Sequence, residues 1–97
     1  MTPRDMREVQ KTVDRIKSNS PQYSNDATTF SNSHTIGNPN SQRLDTGSGP
    51  YQEWTVKTPD VGGNGARRIV VDKKTGRAYY THDHYDSFIE IDLQGWN

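Results

Sequence analysis

Two histidines in the segment YYTHDHYDSF, residues 79–88, are the first side chains that could do chemistry. His82 and His84 would share a face of a strand, and such a pair of imidazoles can bind zinc. A single imidazole can instead donate a proton near neutral pH. No third zinc ligand is evident in the sequence, so we predict no metal and no cofactor. Asp83, between the histidines, is expected to support the local turn rather than to bind a substrate.

Glu53 is a second candidate, and the strand that carries it decides what it can reach. The segment YQEWTVKT alternates, so Trp54 and Val56 point to one face of a strand and Glu53 points to the other. If the two apolar side chains lie in the core, Glu53 faces a surface or a cleft. Taken alone, Glu53 is most simply interpreted as a solvated carboxylate.

Two consecutive arginines follow in the strand segment ARRIVV. Arg67 and Arg68 point to opposite faces of that strand, so one of them turns toward the side of Glu53. His84 lies at the break between the last two predicted strands, where functional groups are common. A glutamate, an arginine and a histidine on neighbouring strands would combine a base, a phosphate clamp and an acid. This set suits the cleavage of a phosphodiester bond.

A single domain, residues 1–97, must position these side chains. An apolar stripe that steps by three and four residues predicts a helix over residues 3–18. The polar region that follows, residues 19–50, is predicted to hold a short strand near Thr28–Phe30 and a binding loop after it. Segments rich in β-branched and aromatic residues predict a sheet over residues 51–93. The fold class is therefore α+β, with the N-terminal helix packed on an antiparallel β-sheet.

Composition argues against several classes of function. The formal net charge is zero, which argues against binding of nucleic acid through bulk electrostatics. Basic residues nevertheless cluster between Arg67 and Arg77, as a local phosphate site or as a solvated face. The chain has no cysteine, so disulfide and thiolate chemistry are excluded. No apolar run approaches membrane-spanning length, and we expect a monomer without a membrane partner.

The combined pattern YQEWTVKTP…GARRIVV…YYTHDHYDSFIEID resembles the guanyl-specific microbial ribonucleases, the barnase-like small bacterial and fungal enzymes. The similarity is greatest over residues 51–92 and extends more weakly over VDRIKS and YSNDATTF. The motifs YxEWTV, RRI and DHYxSF in one order are much more specific than any one of them alone. The resemblance implies a helix packed on an antiparallel sheet, in agreement with the residue pattern.

Carried over by position, the resemblance implies three catalytic residues. Glu53 would be the general base, Arg68 the arginine that stabilises the transition state, and His84 the general acid. Arg67 and Tyr85 would line the phosphate pocket. The expected activity is metal-independent endonucleolytic cleavage of single-stranded RNA, in which the 2′-hydroxyl attacks and a 2′,3′-cyclic phosphate results. The alternative is a catalytically weak or inactive relative that binds RNA or a protein, although such a binder would not need both a base and an acid.

Base recognition is where the sequence departs from the family. Phe30 and Asn32 match the start of the family's base-recognition loop, but no glutamate follows them to accept two hydrogen bonds from guanine. Asp45 is the only nearby carboxylate that could substitute, so we expect a weakened guanine or purine preference. Asn64 stands where some relatives carry a further arginine, so phosphate binding is expected to depend more on Arg68.

The resemblance also implies a biological setting. We expect an enzyme that is secreted, or a toxin domain that is delivered into the cytoplasm of a target cell. RNA is the expected substrate. A producing cell is expected to hold an acidic inhibitor or immunity protein, whose carboxylates would meet Arg67, Arg68 and His84 in place of phosphate.

Overall fold

The computed structural model describes residues 3–30, 50–58, 65–85 and 87–93, which form a helix and a five-stranded sheet. The elements are α1 (Pro3–Ser18), β1 (Thr28–Phe30), β2 (Tyr51–Thr55), β3 (Arg68–Asp72), β4 (Ala78–Thr81) and β5 (Ile89–Ile91). The strands lie side by side in sequence order, and each neighbouring pair is antiparallel. The predicted α+β fold, a helix on an antiparallel sheet, is confirmed.

Helix α1 ends in a capping motif formed by the polar residues that follow it. Asn19 has a φ of 53°, in the left-handed region that asparagine tolerates better than most residues. Its N–H donates to the carbonyl of Ile16 at 3.1 Å, and the N–H of Ser20 donates to the carbonyl of Arg15 at 2.9 Å. These bonds satisfy carbonyls that the last turn would otherwise leave open. Within the described residues, no helix has the length and apolar character needed to span a membrane.

The apolar stripe of α1 packs on one face of the sheet. Val9 and Val13 are fully buried there, whereas Met6, from the same predicted stripe, is 49% exposed. The sheet residues that complete this core are Trp54, Val56, Ile69, Val71, Ala78 and Tyr80. Their burial turns the alternate side chains of β2 and β3 to the opposite face of the sheet.

That opposite face carries an aromatic cluster and the candidate catalytic side chains. Its members are Tyr51, Val70, Phe30, Tyr79, Tyr85 and Phe88. The register pairs Glu53 of β2 with Val70 of β3. Arg68 lies two residues before Val70, so it shares this face with Glu53.

A buried carboxylate joins α1 to the sheet. Asp26 Oδ2 accepts hydrogen bonds from Arg15 Nε at 3.2 Å and from the N–H groups of Gln22 and Tyr23 at 2.9 and 3.1 Å. Asp26 Oδ1 accepts from the N–H of Thr55 at 2.8 Å, and Arg15 Nη2 donates to the carbonyl of Thr55 at 2.7 Å. The helix, the segment before β1 and the end of β2 are thereby held in one geometry.

Candidate functional site

Glu53 projects from the middle of β2 and is held by two hydroxyl groups. The hydroxyl of Thr28, its neighbour on β1, donates to Glu53 Oε1 at 3.2 Å. The hydroxyl of Tyr85 donates to Glu53 Oε2. The carboxylate is therefore oriented by contacts from two separate parts of the chain, and its position is set before any substrate arrives.

Arg68, the first residue of β3, is oriented by its own backbone surroundings. Its Nη1 donates to the carbonyls of Gly65 at 3.0 Å and of Arg67 at 2.8 Å. Its Nε lies 3.9 Å from Glu53 Oε2, and the residue is only 4% exposed. A buried guanidinium beside a carboxylate is well placed to meet a second anion, such as phosphate, because its fork geometry is already fixed.

One of the carbonyls that orient Arg68 belongs to Gly65, at a position that requires glycine. Its φ is +67°, and a Cβ added there would lie 2.5 Å from Thr58 Oγ1. Only glycine fits this position without moving the neighbouring segment. The segment just before β3 therefore helps to orient Arg68.

His84 and Tyr85 both adopt left-handed backbone conformations in the turn after β4. Their φ values are 54° and 79°, a conformation that costs roughly 1–2 kcal/mol for each non-glycine residue. The N–H of His84 donates to the carbonyl of Ala66 at 3.0 Å, and the N–H of Tyr85 donates to Thr81 Oγ1 at 3.0 Å. Strain that is held in place by such bonds is characteristic of functional sites.

Tyr85 links the candidate acid to the candidate base. The centroid of its ring lies 4.8 Å from that of His84 and 4.6 Å from that of Phe30, and its hydroxyl reaches Glu53. Burial, and then the hydrogen bond and negative charge of Glu53, raise the pKa of Tyr85 well above its usual value, although Arg68 opposes this shift. The phenol therefore remains protonated near neutral pH and donates its hydrogen bond to Glu53.

Asp83 stabilises this strained turn through hydrogen bonds. Its Oδ1 accepts hydrogen bonds from Thr81 Oγ1 at 2.8 Å and from the N–H of Ser87 at 2.9 Å, and its Oδ2 accepts from Ser87 Oγ at 2.6 Å. Partial burial alone would raise the pKa of Asp83, but the hydrogen bonds from Ser87 and Thr81 outweigh it and lower the pKa below its usual value. The same Thr81 hydroxyl accepts from Tyr85, so Asp83 positions His84 and Tyr85 through the turn.

Replacing Asp83 by alanine should therefore impair catalysis more than folding. We expect Asp83→Ala to lower kcat about tenfold, because the acid and Tyr85 lose their fixed orientation, while KM changes little. Asp83→Asn, which retains one acceptor oxygen, should recover part of the loss. Steady-state cleavage kinetics of the folded variants, with the exposed carboxylate variant Glu90→Ala as the control, would check this.

The stability of the wild type should also depend on Asp83 in acid. A lowered pKa means that the carboxylate stabilises the fold fully above its unfolded-state pKa and loses this contribution as the pH falls through its folded-state pKa. Asp83→Asn should lose less stability than the wild type over the same acid range. The free energy of unfolding of both proteins would be measured as the pH is lowered. Equal losses in the wild type and in Asp83→Asn would contradict the role given to Asp83.

The remaining predicted residues that the structure describes, Arg67 and Phe30, lie on opposite faces of the sheet. Arg67 points to the face covered by α1, where its Nη1 donates to Asp5 Oδ1 at 2.6 Å, so it is not grouped with Glu53 and Arg68. Strand alternation is the reason, because adjacent residues point to opposite faces. Phe30 packs against Tyr85 on the same face as Glu53. Asn32, and with it the predicted base-recognition loop, lies outside the described residues, as do Asn64 and Asp45.

His82 does not join the group formed by Glu53, Arg68, Tyr85 and His84. Its imidazole is largely exposed, and its Nε2 lies 4.0 Å from Asp83 Oδ2. In the part of the chain that the structure describes, no three His, Cys, Asp or Glu side chains are grouped so as to hold a metal ion. The two histidines that suggested a metal pair thus have different surroundings.

Two supporting residues were not anticipated from the sequence. Thr28 orients Glu53 across the β1–β2 pairing, and Gly65 supplies the carbonyl that orients Arg68. The short strand at Thr28 was predicted, but its register against β2 was not. The glycine-rich segment before β3 was the only local signal for Gly65.

Comparison with known proteins agrees with this geometry. Residues 6–92 match the ribonuclease family. The chain is 39% identical over 87 residues to guanyl-specific ribonuclease Sa of Kitasatospora aureofaciens. This match covers 88% of this chain and 83% of that protein. It is 40% identical over 82 residues to guanyl-specific ribonuclease St of Saccharopolyspora erythraea, with 84% and 74% of the two chains covered.

A solved structure shows the same architecture. The structure of ribonuclease Sa2 in complexes with mononucleotides is similar to this chain with a TM-score of 0.68 and 32% identity. The match covers 89% of this chain and 83% of that one. The helix, the sheet and the order of the candidate residues thus coincide with a family match that spans nearly the whole sequence. The chain belongs to the ribonuclease family and is an endoribonuclease.

Proposed function

We propose that this chain cleaves single-stranded RNA without a metal, by attack of the 2′-hydroxyl on the adjacent phosphorus. The observation that carries this proposal is the grouping of Glu53, Arg68, Tyr85 and His84 on one face of the sheet. These groups supply a proton acceptor, an anion-binding guanidinium and a proton donor. That is the full set that phosphoryl transfer from RNA to its own 2′-oxygen needs.

The proposed first step is a transesterification. Glu53 removes the proton of the 2′-hydroxyl as its oxygen forms a bond to phosphorus. The bond from phosphorus to the 5′-oxygen breaks, and His84 gives its proton to that oxygen. The products are a 2′,3′-cyclic phosphate and a free 5′-hydroxyl. Water then opens the ring with the two roles reversed, so that both residues return to their starting protonation states.

Arg68 stabilises the charge that develops in this step. Negative charge grows on the non-bridging phosphoryl oxygens, and a preoriented guanidinium binds them with paired hydrogen bonds. Arg68 needs little reorganisation, because two backbone carbonyls already hold its Nη1. Tyr85 keeps Glu53 in place and provides an aromatic surface beside His84.

Incubation of the purified protein with total RNA in excess EDTA tests this proposal. Cleavage that persists in EDTA and leaves 2′,3′-cyclic phosphate ends is expected. DNA of matched sequence should remain intact, because it lacks the attacking hydroxyl. RNA binding without cleavage would overturn the proposal in favour of a binding relative, and cleavage abolished by EDTA would overturn its metal independence.

We also propose that the base 5′ to the scissile phosphate is preferentially guanine or another purine. Two similar proteins are named guanyl-specific, and Phe30 presents an aromatic ring next to Tyr85. The sequence lacks the glutamate that the family uses to pair with guanine, and a bidentate contact of this kind is worth roughly 1–3 kcal/mol. The preference should therefore be about tenfold or more weaker than with that contact.

Cleavage rates on four short RNAs that differ only in the base 5′ to the scissile phosphate would measure this preference. A purine preference that Asp45→Asn weakens further is the expected result. Strict guanine cleavage that Asp45→Asn leaves unchanged would contradict it. Replacement of Asp14, an exposed carboxylate on α1, serves as the control for loss of charge.

The biological setting is part of the proposal. The protein would act as a monomer after secretion or after delivery into a target cell. An acidic inhibitor would protect the producing cell by presenting carboxylates to Arg68 and His84. Expression of the active chain alone in a bacterial cytoplasm should therefore stop growth.

A further inference from the structure

A cleft lies at one end of the sheet, on the side that α1 covers. The proposed reaction does not use it. Its volume is about 360 Å³, within the size range of small-ligand sites. The residues that line it are Asp5, Arg67, Tyr80, His82 and Ile89. Ile89 is 62% exposed, so this recess offers apolar surface to solvent as well as an imidazole.

The cleft and the candidate active site share two short segments of chain. Arg67 lines the cleft and Arg68 stands beside Glu53, because adjacent residues of a strand point to opposite faces. His82 lines the cleft, and His84 lies two residues further on in the same turn. The start of β3, the end of β4 and the start of β5 all meet at this end of the sheet.

The order of groups in the proposed reaction sets the direction of the RNA. Glu53 acts on the nucleotide that carries the attacking 2′-hydroxyl, and His84 acts on the 5′-oxygen that leaves. The strand on the 3′ side of the scissile bond therefore departs past His84. His82, two residues before His84, and the cleft lie at this same end of the sheet. A strand that turns around the segment between β4 and β5 would therefore reach them.

We propose that this cleft binds a nucleobase of the RNA strand on the 3′ side of the leaving nucleoside. The inference rests on the proposed function. Ile89 and Tyr80 offer apolar contacts to the base, and the exposed ring of His82 offers a stacking surface. Stacking of this kind accepts any base, because every base has a π-face.

The charges of the cleft are compatible with an RNA strand. The carboxylate of Asp5 is bound to the guanidinium of Arg67 at 2.6 Å, so its charge is balanced within the cleft. The exposed imidazole of His82 stands at the solvent side of the cleft. The apolar and aromatic lining of the cleft therefore favours a base in the cleft, with the sugar–phosphate chain in solvent.

The test compares three RNAs that share one guanosine at the cleavage position. The first is a dinucleotide, the second extends it by two nucleotides on the 3′ side, and the third carries abasic riboses at both added positions. We expect the extension to raise kcat/KM about tenfold, the size of effect that one stacked base gives, and we expect the abasic RNA to lose this gain. An abasic RNA that keeps the gain would overturn the proposal, because the phosphates alone would then account for it.

Variants locate the effect in the cleft. His82→Ala and Ile89→Ser should each reduce the gain from extension by about threefold or more, whereas Met6→Ser should preserve it. Met6 is the matched control, since it is 49% exposed on α1 and does not line the cleft. A gain that survives in both cleft variants would overturn the proposal.

The two proposals fail in different ways. Cleavage of the dinucleotide by the wild type tests the proposed function without involving the cleft. If the dinucleotide and all extended RNAs resist cleavage, the proposed function is wrong. If all three RNAs are cleaved with equal kcat/KM, only the inference about the cleft is wrong.

Discussion

Glu53→Gln and His84→Ala are each expected to lower RNA cleavage by about 10²–10⁴-fold, the usual contribution of a general base or a general acid. Glutamine retains oxygen and nitrogen atoms near Thr28 and Tyr85, but it cannot take a proton from the 2′-hydroxyl. Alanine at position 84 leaves the backbone bond to Ala66 intact and removes only the imidazole. Both losses should appear in kcat, while the melting temperature changes little.

The pH profiles of the two variants separate the two roles. The proposed roles predict wild-type cleavage that is bell-shaped in pH, because a general base must be ionised and a general acid protonated. Glu53→Gln should lose the acid limb of the profile, and His84→Ala should lose the alkaline limb. Glu90→Gln, at an exposed carboxylate on β5, is the matched control and should retain full activity. A folded His84→Ala variant with near wild-type activity would refute the assignment of the acid.

Asp26→Ala is expected to produce the largest loss of stability, about 3–5 kcal/mol, the usual result of removing one partner of a buried ion pair. The substitution would leave Arg15 and the N–H groups of Gln22, Tyr23 and Thr55 without this acceptor. A small domain has a total free energy of unfolding of only about 5–15 kcal/mol. The variant should therefore unfold at much lower denaturant concentration, as urea titration would show.

Asp14→Ala is the matched control for this prediction. Asp14 is an exposed carboxylate on α1 whose Oδ1 accepts from Gln10 Nε2 at 2.8 Å. Exposed substitutions of this kind change stability by about 0.5 kcal/mol or less. If Asp26→Ala and Asp14→Ala lowered stability equally, the buried carboxylate would not be the joint between α1 and the sheet. Asp26→Asn, which retains one acceptor oxygen, should lie between the two.

Local patterns predicted the elements and one face of the site. Helical spacing of apolar residues indicated α1, and strand alternation placed Glu53 opposite Trp54 and Val56, which the structure confirms by burying both. These features depend on residues a few positions apart, so the periodicity of the chain suffices to reveal them. The family resemblance, a comparison of ordered motifs, then supplied roles for Glu53, Arg68 and His84.

The residue pattern alone did not decide which arginine stands beside Glu53; the family resemblance implied Arg68, and the tertiary structure shows it there. Alternation required Arg67 and Arg68 to point to opposite faces, but the packing of α1 on one face was needed to assign each of them. Arg67 accordingly pairs with Asp5 of the helix, and Arg68 lies beside Glu53 on the other face. Such assignments depend on contacts between residues far apart in the chain, to which local periodicity is insensitive.

Two further features also depend on contacts between distant parts of the chain. They are the left-handed turn at His84 and Tyr85 and the hydrogen bonds of Asp26. The sequence predicted that Asp83 supports its local turn, which the structure confirms, but it did not predict the partners of Asp83 and did not single out Asp26. Folding brings Thr81 and Ser87 to Asp83, and Arg15 and Thr55 to Asp26. The sequence alone thus determined the secondary structure and the types of catalytic group, whereas the three-dimensional packing of distant segments determined their orientation, because hydrogen bonds across the fold set a side chain's direction.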